Sequence, residues 1–133
     1  KISIEHIYPQ TETKYWLKAF KGVGKKERKN YNMSLGNLLL LSSSITSSLQ
    51  NDSFPDKKNA KYGPSNRKLR NGYSDGSHSE IEVSLNDSWG TKEIYDRGIK
   101  LLKFMEDRWK IKFKVDEDTD EMAEVLFLDY DEE

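Results

Sequence analysis

Apolar positions along the chain change their period several times, and each change predicts an element. Ile2, Ile4, Ile7 and Tyr8 alternate and then run together before Pro9, which predicts a short strand over residues 2–8 ended by the proline. Tyr15, Trp16, Leu17 and Phe20 recur at helical spacing, predicting a short amphipathic helix within 11–20, docked by its aromatics. Gly22-Val23-Gly24 breaks it, and Lys25-Lys26-Glu27-Arg28-Lys29-Asn30 follows as a solvated helix or ordered loop. Leu38 to Leu41 are four leucines after Gly36, a run too short for a helix and compatible with a buried strand. Ser44 or a neighbour caps a helix beyond it, with Ile45 and Leu49 facing inward at i, i+4.

Phe54-Pro55 reads as a helix start with proline at an early position. Residues 63–78 are rich in Gly, Ser, Asn, Arg and Lys and read as a long surface loop. Ile81 to Leu85 read as an extended piece or the approach to a helix. The clearest helix runs from Thr91, its expected cap, to Lys110, with Ile94, Tyr95, Ile99, Leu102, Phe104, Met105 and Trp109 as its apolar face. Ile111, Phe113 and Val115 alternate as a closing strand, and Val125 to Leu128 form an apolar patch able to dock on the domain.

Composition narrows the class. A chain of 133 residues fits one domain. Hydrophobic residues are 35% and charged residues 34% of it, with mean hydropathy −0.89, so much of the sequence is solvated. No apolar run is long enough for a membrane span and no signal-peptide pattern is present, which reads as a soluble, unexported, cytoplasmic protein without membrane partners. Absence of cysteine excludes disulfides, zinc-thiolate sites and cysteine nucleophiles. Lys1 stands directly before a strand pattern, so the chain reads as part of a longer protein.

Charge changes the picture more. The net charge is −1, yet residues 116–133 hold ten acidic residues and no Lys or Arg. Residues 1–115 therefore carry 22 basic against 13 acidic side chains, or +9. A basic body with an acidic tail divides the chain at 115/116, and the body has the charge a polyanion requires. Lys25, Lys26, Arg28 and Lys57, with Arg67, Lys68 and Arg70 beside Tyr62 and Tyr73, are the candidate contacts to nucleic acid.

Chemistry concentrates in Ile4-Glu5-His6-Ile7-Tyr8-Pro9-Gln10. A histidine titrates near neutrality and suits a general base, while an adjacent Glu is a hard oxygen ligand for a divalent cation. His78, the other histidine, has no ligand spacing around it. No Gly-rich phosphate loop is present, so no NTPase activity is assigned.

With Leu35-Gly36-Asn37-Leu38-Leu39-Leu40-Leu41 added, the chain resembles an HNH (ββα-metal) nuclease, and more closely the C-terminal domain of GmrSD-type restriction proteins. Trp16, Ser47-Ser48-Leu49-Gln50-Asn51, Phe54, Lys57, Trp89, Ile94, Arg97, Leu101 and Trp109 extend the likeness to about residue 110. The resemblance implies an α+β fold with a ββα-metal core, a short two-stranded sheet and a mostly helical surround. It implies His6 as general base, Glu5 as metal-binding acid, and Asn37 holding the loop that carries the base and orienting its imidazole. One divalent metal, Mg²⁺ or Mn²⁺, would be the cofactor. DNA, phage DNA with modifications included, would be the substrate, and an upstream nucleotide-binding domain of the same polypeptide would supply recognition.

One departure matters. The family's helix places an Asn or His ligand nine positions after the central Asn, and Thr46 stands there. Gln50 and Asn51, about one turn on, are expected to compensate, leaving a nuclease with a raised metal requirement. The rival reading is a catalytically impaired module kept for nucleic-acid binding. A third is a protein-interaction domain whose acidic tail docks on a partner or covers the basic face.

Overall fold

The computed structural model describes residues 1–110 and 125–126. The architecture is α+β. Strand β1 (Ile2–His6) pairs antiparallel with β2 (Leu38–Ser42), with Glu5 opposite Leu39 and His6 opposite Leu38. Helices α1 (Lys14–Ala19) and α2 (Lys25–Met33) fill the excursion between the strands, and the 3-10 turn Leu35–Asn37 leads into β2. Helix α3 (Ser43–Leu49) follows β2 without a gap. The Ser42 side chain, rather than that of Ser44, caps α3 by accepting from the Ile45 N–H. Helix α4 (Phe54–Lys58) begins after a Ser53 cap, with Pro55 in its first turn where no amide is needed.

The segment expected as a surface loop is built. Strands β3 (Lys61–Tyr62) and β4 (Lys68–Arg70) form a second, small antiparallel sheet, and the turn Tyr73–Asp75 buries Tyr73 completely. Helix α5 (His78–Ser84) is specified by a capping box. The Ser77 hydroxyl accepts from the Glu80 N–H and the Glu80 carboxylate accepts from the Ser77 N–H. Helix α6 (Thr91–Trp109) is capped by Gly90 instead of Thr91 and closes at Lys110 in a left-handed conformation. Ile94, Tyr95, Ile99 and Leu102 are buried as expected, but Phe104 and Trp109 are 59% exposed, Phe104 because its position turns it to the opposite face and Trp109 because it lies in the last turn, beyond Leu102, the last buried residue of the helix.

The core gathers around aromatics from both halves of the excursion. Trp16, Tyr8 and Phe20 are sealed in, and the Tyr8 and Phe20 rings stack with centroids 4.0 Å apart. Such a pair contributes about 0.5–1.5 kcal/mol beyond burial. Trp89 stacks on Phe54 from the other side. Helix α6 approaches the Leu35–Asn37 turn so closely that a Cβ at Gly36 would run into the Ile94 carbonyl. Arg97 locks this contact by donating to the Gly36 and Leu38 carbonyls at 2.9 and 2.8 Å. Leu126, inside the segment set apart as an acidic tail, is buried against Gly98 of α6. The expected strand at 111, 113 and 115 lies outside the described residues, as do Phe127 and Leu128.

Candidate active site

β1 turns its polar residue inward. Ile2 and Ile4 are 72% and 54% exposed, while Glu5 is 3% exposed. A buried carboxylate is costly without partners, and two reach it. The Tyr73 hydroxyl donates to Glu5 Oε2 at 2.9 Å, and the Lys57 ammonium lies 3.5 Å from the same oxygen. Lys57 Nζ also donates to the His6 and Ile7 carbonyls, each at 3.0 Å. Its three N–H groups thus meet three acceptors, which favours the ammonium form. Burial nevertheless pushes the Glu5 carboxyl up, with Lys57 and Tyr73 opposing it, and pushes Lys57 down, with Glu5 opposing it.

The carbonyls held by Lys57 belong to a longer run of fixed backbone. The Ile7 N–H donates to the Asn37 carbonyl at 2.9 Å. The Tyr8 N–H donates to Asn37 Oδ1 at 2.8 Å, and the Tyr8 carbonyl accepts from Asn37 Nδ2 and from Asn32 Nδ2. Asn37 Nδ2 also reaches the Asn32 carbonyl, and Trp89 Nε1 donates to Asn37 Oδ1 at 3.0 Å. All the hydrogen-bonding capacity of this fully buried carboxamide is used. Asn37 therefore positions the loop after His6 through its backbone, and the described bonds of its side chain run to Tyr8, Asn32 and Trp89.

His6 closes β1 and is partly exposed, the accessible imidazole beside this fixed frame. Burial, then the Lys57 charge, holds its pKa below the ordinary 6.5, so the ring is predominantly neutral at pH 7 and able to accept a proton. On α3 the Thr46 hydroxyl accepts from Ser3 Oγ at 3.0 Å, tying the helix to β1 on the face that carries Glu5. Gln50 and Asn51 are exposed just past the end of α3. Among the described residues no three His, Cys, Asp or Glu side chains converge as a metal cluster. The hard oxygen donor beside His6 is the Glu5 carboxylate, 3% exposed and already shared with Tyr73 and Lys57.

The expected nucleic-acid contacts divide sharply. Lys57 is entirely buried under Glu5 and cannot touch a bound strand. Arg70 is 9% exposed, its guanidinium spent on Asp52 at 3.0 Å and on the Asp56, Asn59 and Asn71 carbonyls. Arg28 pairs with Glu12 at 2.7 Å and donates to the Val23 carbonyl. The Tyr8 hydroxyl, bonded to that same Glu12, and Arg28 keep the Glu12 carboxyl below the usual range. Lys25, Lys26, Arg67 and Lys68 remain at the surface. His78 is 88% side-chain exposed beside Glu82, at the start of α5.

Residue types alone did not reveal the parts played by Tyr73, Trp89 and Asn32. Lys57 left a signal, because Phe54 and Lys57 are i, i+3 on one short helix and share its buried face.

No helix among the described residues is long and apolar enough to cross a membrane. No curated protein and no solved structure matches the chain. The sequence model of the family "GmrSD restriction endonucleases, C-terminal domain" matches residues 1–104, which include Glu5, His6, Asn37, Lys57, Tyr73 and Trp89. With that match covering most of its length, the chain belongs to the GmrSD restriction endonuclease C-terminal domain family, which points to a nuclease of restriction type.

Proposed function

We propose that residues 1–115 form a divalent-metal-dependent DNA endonuclease of the HNH, ββα-metal kind, with His6 as general base. The observation that carries this reading is the fixed backbone around His6. From the His6 carbonyl to the Tyr8 carbonyl every polar backbone group is bonded, either to Lys57 or to the Asn32 and Asn37 frame. Fixing the backbone that carries one partly exposed imidazole is part of the positioning that proximity catalysis requires. β1, β2 and α3 also follow in ββα order, with Glu5 and His6 ending the first strand and Thr46 on the helix.

His6 would take a proton from the attacking water. Glu5 would hold the cation through a carboxylate that Tyr73 and Lys57 steady on one oxygen. A bound Mg²⁺ or Mn²⁺ would neutralise charge developing on the phosphate and on the leaving 3′ oxygen. The surface lysines would supply contacts to DNA of modest sequence preference. Recognition of modified phage DNA would fall to an upstream nucleotide-binding domain.

Supercoiled plasmid incubated with the 133-residue chain tests this. Open-circle or linear product is expected with Mg²⁺ or Mn²⁺ and not with EDTA, and His6→Ala should lower the rate about 10²–10⁴-fold while the protein stays folded. Cleavage that survives His6→Ala would overturn the assignment.

The impaired-module reading draws support from Thr46, whose hydroxyl is engaged by Ser3 instead of offering a carboxamide or imidazole. If Thr46 limits the site, Thr46→Asn should lower the metal concentration for half-maximal nicking roughly tenfold, the order of change that ligand-sphere substitutions bring. An unchanged metal midpoint removes Thr46 as the limit.

A further inference from the structure

Between the turn that follows His6 and helix α2 lies a groove of about 640 Å³. Its lining is largely apolar, with Tyr8, Pro9 and Met33 against Lys25, Lys26 and Lys29. Met33 is 57% exposed, an unbranched thioether presented to solvent on a helix otherwise dominated by charge. All three lysines are exposed and form no salt bridge among the described residues. Among the described residues the one anion on its wall is Glu12, already paired with Arg28.

An apolar floor beneath cations fits a ligand with a flat apolar face and attached anionic groups. The volume lies within the range of small-ligand pockets, about 300–1,000 Å³. A nucleotide of the cleaved strand has this chemistry, and the groove opens two residues after His6. A paired duplex cannot use the groove, because its base faces are stacked and only their edges are presented. An unpaired nucleotide can lay its base on Met33, over the buried Pro9, while its flanking phosphates meet the lysines.

We infer that the α2 groove holds one unpaired nucleotide of the substrate strand beside the scissile phosphate, so that the domain prefers DNA with a locally opened or extruded base. The inference rests on the nuclease reading of His6 for its placement of the cut. It makes Met33 and Lys29 specificity-determining residues.

Anisotropy of a short labelled duplex, fully paired or carrying a single unpaired adenosine, measures the preference in EDTA, where no cleavage occurs. The 133-residue chain should bind the bulged duplex about tenfold more tightly, the effect of roughly one base stacked on protein. Met33→Ser and Lys29→Glu, both at exposed positions, should each bring the two duplexes within about twofold, with circular dichroism confirming an unchanged fold. Equal binding of the two duplexes by the unaltered chain overturns the inference, and so does a preference that survives both substitutions. A folded chain that prefers the bulge but never cuts plasmid supports the groove and sinks the nuclease reading. One that cuts plasmid without the preference sinks the groove alone.

Discussion

Asn37→Asp is expected to abolish plasmid nicking and to cost the fold roughly 3–5 kcal/mol at pH 7, although it exchanges one nitrogen for one oxygen. The reason is the direction of four hydrogen bonds. Asn37 Oδ1 accepts from the Tyr8 N–H and from Trp89 Nε1, and an aspartate oxygen would go on doing so. Asn37 Nδ2 donates to the Tyr8 and Asn32 carbonyls, both at 2.9 Å, and an ionised carboxylate has nothing to donate. Two carbonyl oxygens would then face a carboxylate oxygen in a site with no solvent access. Loss of each buried bond costs about 1–3 kcal/mol, and the charge itself resists burial.

Protonation would restore one donor, so the carboxyl introduced by this substitution should titrate above the ordinary Asp value of about 3.9. A raised folded-state pKa means that stability is retained below the unfolded value and lost as pH rises through the folded one. The variant should therefore approach the unaltered protein in urea unfolding near pH 4 and fall away toward pH 8. Equal unfolding midpoints at pH 8, with nicking intact, would remove Asn37 from its place as the holder of the His6 loop.

Elements with strong local signals were legible in the residues. Trp16 and Phe20 docking α1, proline opening α4, and Ile94, Ile99 and Leu102 lining α6 all follow from period and capping chemistry. What period two could not supply is the orientation of β1. An apolar alternation places Ile2 and Ile4 inside, yet they face solvent and Glu5 faces in, because the interior is built from Lys57 and Tyr73, far along the chain. Local rules are expected to break where a site takes over an inward position.

The same cause explains residues 63–78. Their Gly, Ser and Asn content reads as loop, but Tyr73 is needed at Glu5 and Arg70 ties Asp52 to three backbone carbonyls, so the segment is fixed from outside itself. Of the site, the adjacency of Glu5 and His6 and the placement of Asn37 were readable. The frame connecting them was not, since all of its bonds but the one from Asn37 to Asn32 join residues 24 to 68 positions apart.

Lys57→Met should be about as damaging as Asn37→Asp, and it too leaves every surface residue in place. Met keeps an unbranched apolar chain but removes the charge, and breaking a buried ion pair by deleting one partner costs about 3–5 kcal/mol. The Glu5 carboxylate, 3% exposed, would keep only the Tyr73 hydroxyl, and the His6 and Ile7 carbonyls would lose their donor. Glu5 already has its pKa raised by burial, with Lys57 the principal opposing influence, so removing Lys57 raises it further. By the sign rule for a raised pKa, the loss is smallest below the ordinary Glu value and grows as pH rises through the shifted one. Urea unfolding at pH 4.5 and pH 8 should show a deficit that widens with pH.

A second substitution separates charge from packing. Glu5→Gln removes the stranded charge, so the double variant should recover part of the stability that Lys57→Met loses at pH 8, although it cannot recover nicking if Glu5 holds the metal. His6 gives an independent readout wherever activity survives. Lys57 is one of two influences that lower its pKa, so the acid limb of the pH–rate profile should move upward in Lys57→Met. A deficit that is constant with pH and untouched by Glu5→Gln would mean that Lys57 acts by filling space. A pH-dependent deficit relieved by Glu5→Gln would mean that its charge is what keeps a carboxylate ionised inside the domain, within one residue of His6.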